Sequence, residues 1–150
     1  MVNRTLFSVA LLIAVGAVVL LGSSANAQTL TPIALTNAIQ DEISGSQWDG
    51  EWYDTGNDVG GPLELFLMVV RGKITARFAG VSYCCGPYAY FADGSIEKGA
   101  MTLLRENKRI TITLFLSRES GGLFLKGPYE ILTGEYSGEE GTYTLKRQAE

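Results

Sequence analysis

Two features of this chain bear on chemistry before any element is assigned. The first is an absence: the 150 residues contain no His. Histidine is the commonest general base and the commonest metal ligand. A Ser-His-Asp or Cys-His apparatus is therefore excluded, and with only 2 Cys so is a four-ligand zinc site of the usual kind. No catalytic residue, metal ligand or cofactor is assigned. The second feature is Cys84-Cys85, set in Val81-Ser82-Tyr83-Cys84-Cys85-Gly86-Pro87-Tyr88-Ala89-Tyr90-Phe91. Neighbouring Cα atoms lie about 3.8 Å apart, against about 4.4–6.8 Å across an ordinary disulfide. A Cys84-Cys85 bond would be strained and easily reduced. Two free buried thiols, or bridges between chains, are the other readings, because no third Cys exists. Thiol reactivity would need a nearby cation, which Lys98 or Arg77 could supply only through folding.

The carboxylates are less informative. Asp54, Asp58 and Asp93 lie beside expected turns, where Asp serves turn geometry. Their spacing fixes neither the acid pair of a glycosidase nor a calcium loop. With 12 Lys+Arg against 16 Asp+Glu, the formal net charge is -4. That balance argues against a nucleic-acid partner, which needs a basic stripe.

The elements that must position these residues begin after a leader. Met1-Val2-Asn3-Arg4-Thr5 is a short positive segment, Leu6 to Leu21 an apolar run, and Gly22 to Ala27 a small-residue stretch ending Ala25-Asn26-Ala27. This predicts a secretory signal peptide over 1–27, cleaved after Ala27. The apolar run is too short for a lasting membrane span. The remainder is then secreted or periplasmic, where a disulfide can persist. Residues 28–47 read as a helix or a flexible segment. Thr31-Pro32 would start the helix, Leu35, Ile39 and Ile43 would form one stripe, and Gly45 would end it.

From 48 to 150 the period changes to two. Leu63, Leu65, Leu67 and Val69 alternate with Glu64, Phe66, Met68 and Val70, and Arg71-Gly72-Lys73 turns the chain into Ile74, Ala76 and Phe78. Further strands are expected at Glu51–Asp54, Tyr88–Ala92, Met101–Glu106, Ile110–Ser117, Leu123–Lys126, Tyr129–Tyr136 and Thr142–Arg147. About eight short antiparallel strands with tight turns predict an all-β protein, an up-and-down barrel in preference to an open sandwich, because closure removes the edges. The outward Phe66, Met68 and Val70 would need cover from the N-terminal helix or from a second subunit of a homo-oligomer.

The stretch Trp48-Asp49-Gly50-Glu51-Trp52-Tyr53 resembles the opening strand of the calycin barrels, which include lipocalins, fatty-acid-binding proteins and avidins. The resemblance implies that Trp52 closes the barrel floor and that Arg147, near the end of the last strand, packs over it. The resemblance extends to a barrel of this broad type and not to biotin binding, and the absence of His turns the expected function from catalysis toward binding. The expected ligand is a small apolar or aromatic molecule, with Leu65, Leu67, Ile112 and Leu114 lining the interior. Tyr83, Tyr88, Tyr90 and Phe91 would stand at the mouth beside Cys84 and Cys85. The alternative from a different class is a secreted protein-interaction module, such as a protease inhibitor or an envelope component.

Overall fold

The computed structural model describes residues 31–149. The expected signal peptide lies outside the described residues. A helix α1 (Asn37–Ile43) precedes eight strands: β1 (Ser46–Asp54), β2 (Val59–Val70), β3 (Lys73–Ser82), β4 (Gly86–Glu97), β5 (Ala100–Arg105), β6 (Ile110–Glu119), β7 (Gly122–Ile131) and β8 (Glu140–Arg147). The strands pair antiparallel in chain order and β8 returns to β1, closing the barrel. This is the all-β up-and-down architecture expected from the alternation.

Period-two patterning dictates which side each residue faces. Leu63, Leu65, Leu67 and Val69 of β2 are buried, while Glu64, Phe66, Met68 and Val70 are exposed. The turns at Arg71-Gly72 and Lys98-Gly99 each hold two consecutive positive-φ residues, the geometry of tight two-residue hairpins. Closure also demands close backbone approach. A Cβ built at Gly50 in β1 would collide with the carbonyl oxygen of Thr144 in β8, so glycine lets the first and last strands coil past each other.

Three expectations are corrected. The helix begins after Thr36, not Thr31: Thr36 Oγ1 accepts from Ile39 N at 3.4 Å. The Thr31-Pro32 segment is held outside it because Ile33 N donates to Leu116 O of β6 at 2.7 Å. Leu123–Lys126 and Tyr129–Ile131 are one continuous strand through Gly127 and Pro128, and 132–139 form a loop. The helix does not cover the outer face of β2. Phe66, Met68 and Val70 remain 46%, 40% and 59% exposed.

Instead α1 plugs one end of the barrel. Ile43 and Leu35 join the core, and the buried Gln40 ties helix to sheet. Its Nε2 donates to Leu35 O and its Oε1 accepts from Gly72 N, both at 2.9 Å. Ser44 Oγ accepts from Val69 N at 2.9 Å. Trp48 is fully buried at this floor and donates from Nε1 to Ser46 Oγ, which in turn donates to Ile43 O. Among the described residues, no helix is long and apolar enough to cross a membrane.

Two glycine substitutions should separate backbone collision from conformational strain. Gly45 has φ +78 but open space around its Cβ position, so Gly45→Ala should cost about 1 kcal/mol. Gly50→Ala meets backbone and should cost at least about 2 kcal/mol. Urea denaturation should show the second midpoint falling further, with little change in slope.

Candidate functional site

The end opposite the helix is open and aromatic. Large aliphatic side chains, including Leu65, Leu67, Ile112 and Leu114, fill the lower barrel and are buried. Above them lies a cavity of about 230 Å³. Tyr88, Tyr90, Tyr129 and Tyr143 make its walls, with Trp52, Ile110 and Ile131, and Tyr83, Cys84 and Tyr136 stand at the mouth. The rings are locked against one another. Phe78 stacks on Tyr90 with centroids 5.2 Å apart, Tyr129 on Tyr143 at 4.7 Å, and Tyr88 on Tyr90 at 6.0 Å. The Tyr90 and Tyr143 hydroxyls share a buried hydrogen bond of 2.8 Å.

Glycines make room for this lining. A Cβ at Gly61 would lie 2.8 Å from Trp52 Nε1, one at Gly80 2.6 Å from the Tyr88 hydroxyl, and one at Gly141 2.6 Å from the Tyr129 ring. The aromatic rings thus pack flat against bare backbone, which leaves the centre of the cup open.

Two charged groups are set into the wall. Arg105 is the last residue of β5, in phase with the inward Met101 and Leu103. Its guanidinium lies 4.6 Å from the centroid of the Tyr90 ring, a cation–π contact worth about 0.5–2 kcal/mol. Its Nε is buried and has no hydrogen-bond partner among the described residues. Asp54 is buried at the end of β1. Its Oδ1 accepts from Gly56 N at 2.8 Å and Asn57 N at 3.1 Å, and its Oδ2 from Asn57 Nδ2 at 2.9 Å. Burial alone would raise this carboxyl, but the donors from Asn57 and Gly56 outweigh it and hold it below its ordinary value. Asp54 therefore orders the β1–β2 turn. Asp58 and Asp93 likewise bond to neighbours, accepting from Tyr53 and Thr75.

The expected site residues divide. Tyr83, Tyr88 and Tyr90 come together at the cup with Cys84. Leu65, Leu67, Ile112 and Leu114 do not reach it, because the interior below is filled. Phe91 points outward and is 49% exposed, since it alternates with the inward Tyr90. Trp52 is not the floor tryptophan: it lines the cup and donates from Nε1 to Val81 O at 3.0 Å. Arg147 sits across from Trp48, and one guanidinium nitrogen lies 3.5 Å from Glu42 of α1. Trp48 with Arg147 closes the floor four residues earlier than expected. Cys84 and Cys85 stand as separate thiols, both exposed and not buried. Neither Lys98 nor Arg77 approaches the cup; Ser82 and Tyr136 are the groups beside Cys84.

Sequence reading missed Arg105, Tyr129 and Tyr143. The alternation carried them: each is in phase with buried neighbours on its own strand. No family model matches the chain, and neither a curated protein nor a solved structure shows significant similarity to it.

Two outcomes follow from the buried phenols. Burial pushes Tyr88 up to about 12 and raises Tyr90, Tyr129 and Tyr143 further still above the ordinary 10.0. A raised folded-state value stabilises the fold below the unfolded value, and that contribution is lost as pH rises through the folded one. Stability should therefore fall above pH 10 or so, with tyrosinate absorbance appearing together with loss of near-ultraviolet dichroism. Tyr143→Phe should cost about 1–3 kcal/mol by stranding the Tyr90 hydroxyl, and adding Tyr90→Phe should recover part of it, as a double-mutant cycle in urea would measure.

Proposed function

We propose that this chain is a secreted or periplasmic binding protein of calycin type that holds a one- or two-ring aromatic molecule in the cup. The observation that carries the reading is the cavity itself: about 230 Å³, walled by four tyrosines and a tryptophan, open at one end. That volume exceeds an apolar cavity of about 150 Å³ that accepts benzene. It falls below the range of about 300–1,000 Å³ typical of drug-sized ligands. A long acyl chain does not fit, because the barrel below is filled by Leu65, Leu67, Ile112 and Leu114. The pairing of Trp48 with Arg147 at the floor supports kinship with the calycins.

Arg105 sets the polar end of the ligand. A buried donor without an acceptor costs about 1–3 kcal/mol, and a carboxylate or phenolic oxygen on the ring would satisfy Arg105 Nε while the tyrosines stack on the ring. The class is thus an aromatic acid or a phenol.

The protein-interaction reading has one observation in its favour, the outward row of Phe66, Met68, Val70 and Phe91, all exposed. Phe66 and Phe91 flank Arg77 across β2, β3 and β4.

Titration by intrinsic fluorescence and calorimetry decides between them. 4-Hydroxybenzoate and 1-naphthoate should bind and perturb Trp52, whereas palmitate should not. Arg105→Met should weaken binding about tenfold or more, with little change for a neutral ring compound. Failure of every ring compound, together with self-association that Phe66→Ser abolishes, would sink the ligand reading and support the other.

A further inference from the structure

The β3–β4 turn holds chemistry that ligand binding does not use. Residues 83–85 link the two strands, and Cys84 forms part of the cup wall while Cys85 does not. Both sulfurs are exposed. Ser82 Oγ lies 3.2 Å from Cys84 Sγ, and the Tyr136 hydroxyl, from the β7–β8 loop, donates to the same sulfur across 3.9 Å. Two hydroxyls thus converge on one thiol of an adjacent pair, and no other cysteine exists in the chain. Each sulfur can pair within one molecule only with the other.

We propose that Cys84-Cys85 is a redox-modification site at the mouth of the cup, with Cys84 the nucleophile, Cys85 the resolving thiol and a small hydroperoxide the oxidant. The surroundings separate the two roles. The Ser82 and Tyr136 hydroxyls lie against Cys84 Sγ, Cys84 and not Cys85 lines the cup, and the bond from Cys85 holds the Cys84 thiol below its ordinary value. The thiolate is the reactive form, so Cys84 reacts first.

The Cys84 thiolate attacks the terminal oxygen of the hydroperoxide. The O–O bond breaks, Cys84 becomes a sulfenic acid, and the alkoxide leaves as the alcohol after taking a proton. Cys85 then attacks Cys84 Sγ. The S–S bond forms, the S–O bond breaks, and hydroxide leaves as water with the proton from Cys85. Two electrons pass from the sulfur pair to the peroxide, and the products are one disulfide, one alcohol and one water.

The pair is coupled to the cup by geometry. Adjacent Cα atoms sit about 3.8 Å apart, closer than an ordinary disulfide spans, so bond formation must reshape the 83–85 turn. Cys84 Sγ then leaves Ser82 and Tyr136, and Tyr136 lines the mouth. Tyr83, in the same turn, lies 6.4 Å from the Trp52 ring, so the change reaches a natural reporter. The strain of a vicinal disulfide makes the step easy to reverse. None of this chemistry rests on the proposed binding function.

The test treats the reduced full-length protein with hydrogen peroxide and follows thiol count, intact mass and tryptophan emission. Wild type should lose both thiols together, become lighter by two hydrogens, form no bridge between chains, shift its emission and recover with dithiothreitol. Cys85→Ser should stop at a sulfenic acid on Cys84 that dimedone captures. Cys84→Ser should react about tenfold more slowly or worse, and Tyr136→Phe should slow wild-type oxidation several-fold. Serine at these exposed positions leaves the barrel intact, so dead variants through misfolding are not expected. Equal rates for the two serine variants, oxygen addition without a disulfide, or bridging between chains would overturn the proposal. An oxidised monomer with unchanged emission would overturn the coupling to the cup. None of these readouts needs a ligand, so a failure of ring compounds to bind is a separate result.

Discussion

The ladder between β1 and β8 is the contact on which the rest of this structure depends. It runs from Trp48 opposite Arg147 to Asp54 opposite Gly141, joining the two ends of the barrel sequence. Once it forms, every strand has a neighbour on both sides and acquires an inside and an outside. Gly50 permits it by exposing bare backbone to Thr144. The inward residues must then share one fixed volume, and their sizes decide where that volume fills. Leucine, isoleucine and methionine interdigitate and close the lower barrel. Tyrosine rings, flat and held against glycine backbone, line the upper barrel without filling it.

The same closure gives the two ends opposite characters. At the floor, helix α1 supplies Ile43 to the core and the segment before it supplies Leu35, and Gln40 satisfies backbone groups of both the helix entry and the sheet. Glu42, near the helix C-terminus where a carboxylate opposes the dipole, faces Arg147. At the mouth, the polar groups converge inward, and Arg105 and the tyrosine hydroxyls sit among apolar ring faces. Such an environment strengthens any hydrogen bond made within it and penalises any left unmade. The Tyr90–Tyr143 bond is the satisfied case and Arg105 Nε the unsatisfied one.

Much of this fold was legible in the residues because strand alternation is a local property. Leu63 to Val70 announced their own inside and outside, and Arg71-Gly72 its turn. What was not legible depended on distant partners. Thr31-Pro32 looks like a helix start by local chemistry, yet the Leu116 carbonyl takes the Ile33 N–H and the helix starts later. Trp52 resembles a floor tryptophan by spacing, but floor or mouth is decided by which end the helix plugs. The cup residues fell between these cases. Tyr88 and Tyr90 were visible beside the cysteines, whereas Tyr129, Tyr143 and Arg105 come from three other strands that only closure brings around one space. The period also placed Phe91 outside, and its proximity to Tyr90 in sequence is what misled.

The helix plug has an architectural consequence. Residue 31 and onward enter beside β6, α1 lies across the floor, and β8 ends at Arg147 opposite Trp48. The end of β8 therefore lies at the closed pole, while the cup opens at the other. A protein fused after β8 would attach behind the barrel and leave the aromatic mouth facing away from it. The molecule is polar in the geometric sense, with a mounting side and a sampling side set by the parity of its strands.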